Sequence, residues 1–410
     1  MEEKIMKKIL AMLLALVMIL SLAACGGAPA ADAPEATDGE YKVAMVTDYG
    51  DITDQSFNQT TWEAVVKFGE DNKIDYKYYK PTGDSTAERV ASVELAIADG
   101  YNVIVMPGYA FAGTIYEVQD VYPDVKFIGL DVSEFDLFDS FYTHDENGNQ
   151  TGLIDENNQP HISSNVYCAI YQEELCGYMA GYAAVKLGYT KLGFLGGMAV
   201  PAVMRYGYGY VQGVDAAAKE LDITVDMKYV YGNQFYGDAD IKAYMDTWYA
   251  NGTEIVFACG GGIYTSAVDA AKAVEGAKVI GVDVDQAGVI AKYAAGEGGN
   301  ADEYKNLTVT SAMKGLAPTT IDTLTDVIIN GNWEKYSGKI DTLGLVSGTD
   351  ASLNYVQIPT TTQFVEGKFT EADLQTLVAG MFDGSIVVSN DIAAEPAVTN
   401  VNVEYLGNIK

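Results

Sequence analysis

The sequence KVAMVTDYGDITDQSFNQTTWEAVV, residues 42–66, joins a β-rich run to a helical pattern and introduces the alternation that organises the whole chain. Residues 42–47 form a short apolar run, which predicts a buried strand. Trp62 and the apolar residues after it recur at helical spacing and predict a helix that begins near Asp54 or Ser56. The chain therefore opens with a strand followed by a helix.

Strands and helices continue to alternate along the rest of the chain. Strands are predicted at 76–79, 102–106, 125–131, 191–195, 223–229, 254–259 and 278–283. The runs at 102–106 and 125–131 are short and apolar, which is typical of buried parallel strands. Helices are predicted from the capping-box residue Ser85, from Cys168 to about Leu187, from about Ala202, from Asp238 and from Ile263. This order is typical of α/β proteins with doubly wound parallel sheets, in which ligands bind beyond the carboxyl ends of the strands.

The first 40 residues carry targeting signals. Three lysines precede an apolar run at 9–20, which is too short for a permanent membrane helix and typical of a secretory signal peptide at 1–24. The motif Leu-Ala-Ala-Cys25 matches the bacterial lipobox and predicts lipid attachment at Cys25. Residues 25–40 are rich in Gly, Ala, Pro and acidic residues and predict a flexible tether. We therefore expect an extracytoplasmic protein that is anchored to the membrane through Cys25.

Composition excludes several classes of function. The net charge of −32 argues against nucleic-acid partners and against an anionic ligand, so a neutral or cationic ligand fits better. The two histidines lie in a polar stretch, and the cysteines show no metal-binding spacing. Neither GxxxxGK[ST] nor GxGxxG is present. We expect no enzymatic activity, no metal and no cofactor.

The polar stretch at about 133–164 interrupts the alternation. Asn147-Gly148 favours a tight hairpin turn, and we expect a hairpin at the surface. The alternative is a calcium loop that begins at Asp145, but Gln150 stands where such a loop requires glycine.

Three carboxylates stand at the ends of predicted strands. Asp48 follows the first strand, Asp131 ends the last strand of the first series, and Asp283 ends the matching strand of the second series. Carboxylates facing a cleft accept hydrogen bonds from pairs of hydroxyls, as in sugar and ribose binding. The run Gly260-Gly261-Gly262 follows a strand and opens a helix, so its amides are able to approach a ligand closely.

Several segments resemble the basic membrane lipoprotein family, the purine-nucleoside-binding lipoproteins of ABC transporters. The resemblance begins with the motif at 46–63 and continues with Gly193-Phe-Leu-Gly196-Gly197-Met-x-x-Pro201 and Gly213-Val-Asp-Ala-Ala. It also covers 257–262, Val279-Ile-Gly281-Val-Asp283-Val-Asp285-Gln286 and Thr310-Ser311-Ala-Met313-Lys314. These segments occur in family order across nearly the whole chain after the tether.

The resemblance implies a type I periplasmic-binding-protein fold, with two doubly wound lobes joined by three crossovers and the ligand between them. On that basis we expect a first lobe of 41–163 with 309–334, and a second lobe of 164–308 with 335–410. Hinges are expected near 163–166, 285–308 and 332–339. The lobes would close around the ligand and present it to an ABC permease and its ATPase.

The resemblance also assigns roles to individual residues. Phe57 and Phe235 match the aromatic residues that sandwich the base. Asp48 and Asn58 match residues beside the base. Four further residues match those around the ribose: Asp131, Gly261, Asp283 and Lys314.

Two alternatives stay open. The same scaffold could bind a sugar or a signal molecule, which ligand screening would distinguish. The protein could also be a ligand-sensing lipoprotein that signals to a membrane kinase, whereas neighbouring genes for a permease and an ATPase would favour transport. The sequence departs from the family at Arg205, where an aromatic or apolar residue is usual, and in the long polar stretch.

Overall fold

A computed structural model describes Tyr41–Lys410 and contains fifteen strands in that part of the chain. The strands are β1 Lys42–Val46, β2 Asp75–Tyr79, β3 Val103–Pro107, β4 Lys126–Leu130, β5 Tyr142–His144, β6 Gln150–Leu153, β7 Val166–Tyr171, β8 Lys191–Gly196, β9 Val225–Tyr231, β10 Ile255–Cys259, β11 Lys278–Asp283, β12 Thr308–Lys314, β13 Lys339–Leu343, β14 Val356–Gln357 and β15 Val401–Asn408. The signal peptide, Cys25 and the tether lie outside the described residues.

Helices connect most of the strands. They are α1 Phe57–Asn72, α2 Thr86–Ala98, α3 Phe111–Val118, α4 Glu134–Asp139, α5 Glu173–Leu187, α6 Pro201–Glu220, α7 Ala239–Ala250, α8 Tyr264–Ala271, α9 Ala287–Ala295, α10 Leu316–Leu324 and α11 Glu371–Phe382. No helix between Tyr41 and Lys410 combines the length and the apolar character needed to span a membrane.

The strands form two large sheets and one hairpin. The first sheet has the order β13-β7-β4-β3-β1-β2, and all its neighbours are parallel. The second has the order β14-β12-β11-β10-β8-β9-β15, and only the short β14 runs antiparallel to its neighbour. Helices connect successive parallel strands, which confirms the predicted α/β, doubly wound architecture with two lobes.

The predicted helix that begins at Cys168 is wrong at its start. Residues Val166–Tyr171 form β7, which pairs with β4 in the first sheet, and α5 begins only at Glu173. The run VYCAIY is almost fully buried, and a short apolar run of this kind has no period that separates a strand from a helix. The first lobe therefore extends to Tyr171 and does not end at residue 163.

The later lobe boundaries also differ from the expected ones. β12 pairs with β11 in the second sheet, and β13 pairs with β7 in the first. The segment 285–308 is thus the helical connection between two neighbouring strands of one sheet and not a hinge. Residues beyond β13 return to the second sheet as β14 and β15, so 335–410 is divided between the lobes.

The chain crosses between the sheets three times, at Gln172, at Gly315 and over residues 344–355. Backbone hydrogen bonds tie these crossovers together: Gln172 N donates to Leu343 O at 2.9 Å, Gly315 N to Tyr355 O at 2.7 Å, and Tyr355 N to Gly344 O at 2.9 Å. The expected number of crossovers is confirmed, while the predicted hinge positions at 163–166, 285–308 and 332–339 are wrong.

Helices α5 and α6 pack closely because glycines on each helix lie against the backbone of the other. A Cβ atom on Gly181 would lie 2.3 Å from Tyr210 O, and one on Gly209 would lie 2.1 Å from Glu174 O. Any side chain at either position would push the helices apart. This close packing holds Glu173, at the start of α5, near Arg205 on α6.

The polar stretch contains helix α4 and the predicted hairpin. β5 and β6 pair in an antiparallel manner, and Gly148 has the left-handed φ of 79° that such a turn requires. Asp145 Oδ1 accepts hydrogen bonds from Asn147 N at 2.8 Å and Asn149 N at 2.9 Å. The carboxylate of Asp145 is therefore engaged in holding the turn.

Candidate functional site

A cavity of about 320 Å³ lies between the two sheets, at the carboxyl ends of their strands. One wall comes from the loops after β1, β3 and β4 of the first sheet. The opposite wall comes from the loops after β9, β10 and β11 of the second sheet, together with the end of β12 and the start of α6. Ligand sites of doubly wound proteins occupy this location.

All eight predicted ligand-binding residues line this cavity. From the first lobe come Asp48, Phe57, Asn58 and Asp131, and from the second come Phe235, Gly261, Asp283 and Lys314. The structure therefore brings together residues that are up to 266 positions apart in the sequence, from Asp48 to Lys314.

Each lobe contributes one half-buried phenylalanine to the cavity. Phe57 is the first residue of α1, and Phe235 lies in the loop between β9 and α7. Glycines make room for the second ring: a Cβ on Gly197 would lie 2.5 Å from Phe235 Cδ1, and one on Gly260 would lie 2.9 Å from the same atom. The glycine-rich loops thus serve to seat an aromatic ring, a role that the sequence alone did not indicate.

Polar side chains fix the loop that leads into α1. Asp48 Oδ1 accepts hydrogen bonds from Tyr49 N at 2.7 Å and Gly50 N at 2.6 Å. Asn58 Nδ2 donates to Asp48 Oδ1 at 3.2 Å and to Asp54 Oδ2 at 3.1 Å. Within the described residues the buried Asn58 Oδ1 has no hydrogen-bond partner, so this oxygen is free to accept from a ligand.

A buried group of charges lies at the wall of the cavity. Lys314 Nζ lies 2.5 Å from Asp131 Oδ2, 3.4 Å from Glu173 Oε1 and 3.8 Å from Asp283 Oδ1. Arg205 Nε donates to Glu173 Oε2 at 2.6 Å. Two cations therefore face three buried carboxylates, and a buried carboxylate without compensation would be costly.

Burial and mutual repulsion shift the pKa values in this group. Burial, with a contribution from Glu173, raises the pKa of Asp131 to about 6 although Lys314 opposes the shift. Burial alone would lower the pKa of Lys314, but the carboxylates of Asp131, Glu173 and Asp283 outweigh it and raise that pKa. At neutral pH the lysine is charged and Asp131 is mostly ionised.

Two of the strand-end carboxylates have a left-handed backbone. Asp131 has φ of 61° and Asp283 has φ of 64°, a conformation that costs a non-glycine residue about 1 kcal/mol or more. The two residues occupy equivalent places, at the ends of β4 and β11. Asp131 Oδ1 has no partner within Tyr41–Lys410, so it is free to accept a hydrogen bond from a ligand.

Contacts between the lobes close the cavity on one side. Ser56 Oγ in the first lobe donates to Asp283 Oδ2 in the second at 2.6 Å. Gln286 Nε2 donates to Gln55 O at 3.1 Å. The second oxygen of Asp283 accepts from Tyr206 OH at 3.3 Å. Hydrogen bonds thus join the two lobes beside the cavity, and Asp283 takes part in one of them.

Sequence reasoning missed several residues of the site. Glu173 was missed because it lay inside the helix wrongly predicted to begin at Cys168. Tyr206 was missed although it directly follows Arg205, where the sequence departs from the family pattern. Tyr49, Tyr109 and Tyr236 also line the cavity, and nothing distinguished Tyr109 and Tyr236 from the other tyrosines of the chain. The signal that could have found Tyr49 is its position inside the family-like motif.

The cavity has the chemistry of a binding site. Both histidines lie outside it and pair with surface carboxylates, His144 with Asp139 at 3.0 Å and His161 with Asp120 at 3.1 Å. Cys259 touches the cavity wall, but burial raises the pKa of its thiol well above the usual range. Between Tyr41 and Lys410 no cluster of three or more His, Cys, Asp or Glu has the arrangement of a metal site.

Comparison with known proteins agrees with this architecture. Residues 41–352 match the family described as Bmp, ABC transporter substrate-binding protein PnrA-like. The ABC transporter nucleoside-binding protein BmpA of Lactococcus lactis subsp. cremoris is 27% identical over 347 residues, which cover 82% of this chain and 88% of that protein. Basic membrane protein B of Borreliella burgdorferi is 25% identical and covers 77% and 81% of the two chains.

Solved structures share the fold. A solute-binding protein of an ABC transporter system from Aeropyrum pernix K1 has a TM-score of 0.61 at 19% identity, covering 86% of this chain and 88% of that one. A second from Conexibacter woesei DSM 14684 has a TM-score of 0.60 at 20% identity, covering 85% and 99%. Their likeness to this chain concerns the fold, whereas the family description concerns substrate-binding proteins of ABC transporters, which act outside the cytoplasm with permease and ATPase subunits. With a family match over 41–352, this chain belongs to the Bmp family of PnrA-like ABC transporter substrate-binding proteins.

Proposed function

We propose that this protein captures a nucleoside, specifically a purine nucleoside, between its two lobes. It then delivers the nucleoside to an ABC importer. The observation that carries the proposal is the presence of Phe57 and Phe235, one from each lobe, in a cavity that also contains buried carboxylates and Lys314, whose Nζ lies 4.8 Å from the centre of the Phe57 ring. A nucleoside likewise joins a flat aromatic base directly to a hydroxyl-bearing sugar.

The two phenylalanines suit a planar base. Stacking between two phenylalanine rings removes both faces of the base from water and adds dispersion contacts. Asp48 and Asn58 line the same cavity, and the free Oδ1 of Asn58 would offer an acceptor to the edge of the base. The name of the Lactococcus lactis relative, a nucleoside-binding protein, supports the same ligand class.

The buried carboxylates and Lys314 suit a ribose. The free Oδ1 of Asp131 is available to a hydroxyl donor, and Asp283 presents a second carboxylate from the other lobe. Lys314 donates toward these carboxylates and offsets their charge. Because Asp283 also accepts from Ser56 across the cleft, ligand binding and lobe closure use the same side chain.

We also propose that Cys25 carries the lipid anchor after removal of residues 1–24, and that 25–40 tethers the protein near its permease. The motif Leu-Ala-Ala-Cys25 supports this placement. Mass spectrometry of the membrane-associated protein should find a lipid-modified Cys25 at the amino terminus, whereas an unmodified cysteine would contradict it.

Isothermal titration calorimetry with inosine, adenosine, guanosine, their free bases, ribose and galactose tests the ligand class. Nucleosides should bind with the highest affinity, and Phe57→Ala and Asp131→Ala should each weaken binding by about 2 kcal/mol or more, which is roughly 30-fold. Phe382→Ala, which removes an exposed phenylalanine elsewhere, serves as the control. Preferred binding of a sugar, or full nucleoside affinity in both variants, would refute the proposal.

A further inference from the structure

The last strand, β15, lies next to the strand that leads into the cavity. It pairs in parallel with β9, from Val401 opposite Val225 to Asn408 opposite Tyr231. At Tyr231 strand β9 ends, and the chain continues into the loop 232–238, which carries Phe235. β15 lies beyond residue 352, where the match to the Bmp family ends.

The residues after β15 bind to both ends of this loop. Ile409 N donates to Tyr231 O at 2.8 Å, just before the loop begins. The ammonium of Lys410 forms a salt bridge with Asp238 Oδ2, where the loop ends. The same carboxylate accepts from Gln234 Nε2 at 2.8 Å and caps α7 by accepting from Ile241 N at 3.0 Å. Asp238 therefore links Lys410 to Gln234, the residue directly before Phe235.

The cavity side of the loop is held by other contacts. Asn233 N donates to Gly197 O at 2.8 Å, and Gly262 N donates to Phe235 O at 2.8 Å. The loop buries little apolar surface of its own outside Phe235, since Asn233 is exposed and Tyr236 is 54% exposed. Segments with few buried side-chain contacts open easily, so the contacts at the loop ends add to the cavity-side hydrogen bonds in fixing its position.

We propose that residues 401–410, which we name the strap, position Phe235 for stacking on the ligand by holding both ends of the loop 232–238. The inference rests on the proposed function in taking Phe235 as a stacking residue. Lys410 is a positioning residue, because it acts through Asp238 and does not line the cavity.

Hydrogen–deuterium exchange of the full chain without ligand tests the hold on the loop. In Lys410→Met the amides of 232–238 and of the first turn of α7 should exchange at least about twofold faster, since an ion pair that restrains them is lost. Lys410→Arg should restore protection. Lys242→Met is the matched control, because Lys242 forms a similarly exposed salt bridge with Asp246 within α7. Unchanged exchange in Lys410→Met would overturn the proposal.

Titration with inosine tests the effect on the site. Lys410→Met should weaken binding by about 2- to 5-fold, mainly through faster dissociation, as expected for the loss of one exposed ion pair. In a Phe235→Ala background the same change should have no further effect. Equal weakening in both backgrounds would contradict the positioning role. Full inosine affinity in Phe235→Ala alone would instead refute the stacking in the proposed function, and the exchange result would still decide whether the strap holds the loop.

Discussion

Replacing Lys314 by Met should destabilise the protein in a strongly pH-dependent manner. The Lys314 side chain is only 3% exposed, and its ammonium lies within 3.8 Å of Asp131, Glu173 and Asp283. Met retains most of the apolar stem but removes the charge. Arg205 continues to pair with Glu173, so Asp131 and Asp283 lose their cation. Removing one partner of a buried ion pair costs about 3–5 kcal/mol of the free energy of unfolding at pH 8.

The cost should shrink as the pH falls. Burial already raises the pKa of Asp131 to about 6, above the value of about 4 in an unfolded chain, and loss of the lysine should raise it further. A carboxylate with a raised pKa in the folded state destabilises that state as the pH rises through the raised pKa, and it has no such effect below the unfolded pKa. The difference between wild type and variant should therefore be about 1 kcal/mol or less at pH 5.

Urea unfolding followed by fluorescence at pH 5, 7 and 8 measures this difference. Lys335→Met is the control: Lys335 forms a 2.6 Å pair with Asp326 but its side chain is 63% exposed, so its loss should cost less than about 1 kcal/mol at every pH. An equal loss of stability in Lys314→Met at pH 5 and pH 8, or a loss below about 1 kcal/mol at pH 8, would refute the assigned role of the lysine.

Three further substitutions have defined outcomes. Gly197→Ala places a Cβ 2.5 Å from the Phe235 ring and should weaken inosine binding about tenfold by calorimetry, while Gly288→Ala, which meets no atom within 4 Å, should not. Ser56→Ala removes a hydrogen bond across the cleft and should weaken inosine binding by about 1 kcal/mol. Inosine should also dissociate faster in stopped-flow measurements, and an unchanged dissociation rate would contradict a role of Ser56 in lobe closure. Burial raises the pKa of Glu174 to about 7, so the ionised carboxylate destabilises the folded state above that pH. Glu174→Gln should therefore increase the free energy of unfolding by about 2 kcal/mol at pH 8 but not at pH 5.

Local patterns in the sequence predicted most of the elements and the edge of the sheets where the site lies. The strand at Lys278–Asp283 was predicted with its observed bounds, and the turn at Asn147-Gly148 forms the expected hairpin. Both depend on short-range chemistry: a continuous apolar run, and a dipeptide that accepts a left-handed backbone. Asp131 and Asp283 were found from their places at strand ends.

The partition of strands between the lobes could not be predicted in this way. Which sheet β12 and β13 join depends on long-range pairing, and the crossovers at Gln172 and Gly315 are too short to leave a pattern. The error at Cys168 had a further consequence, since it concealed Glu173, which bridges Lys314 and Arg205. The aromatic pair came from family resemblance, because a half-buried phenylalanine has no distinctive local signal.

A crystal structure of the protein with inosine bound would show where the ligand lies and which side chains contact it. We expect the base to lie between the rings of Phe57 and Phe235, and ribose hydroxyls to lie within about 3.2 Å of Asp131 and Asp283. Inosine bound outside the cleft, or inside it without contact to either ring, would contradict the proposed binding mode.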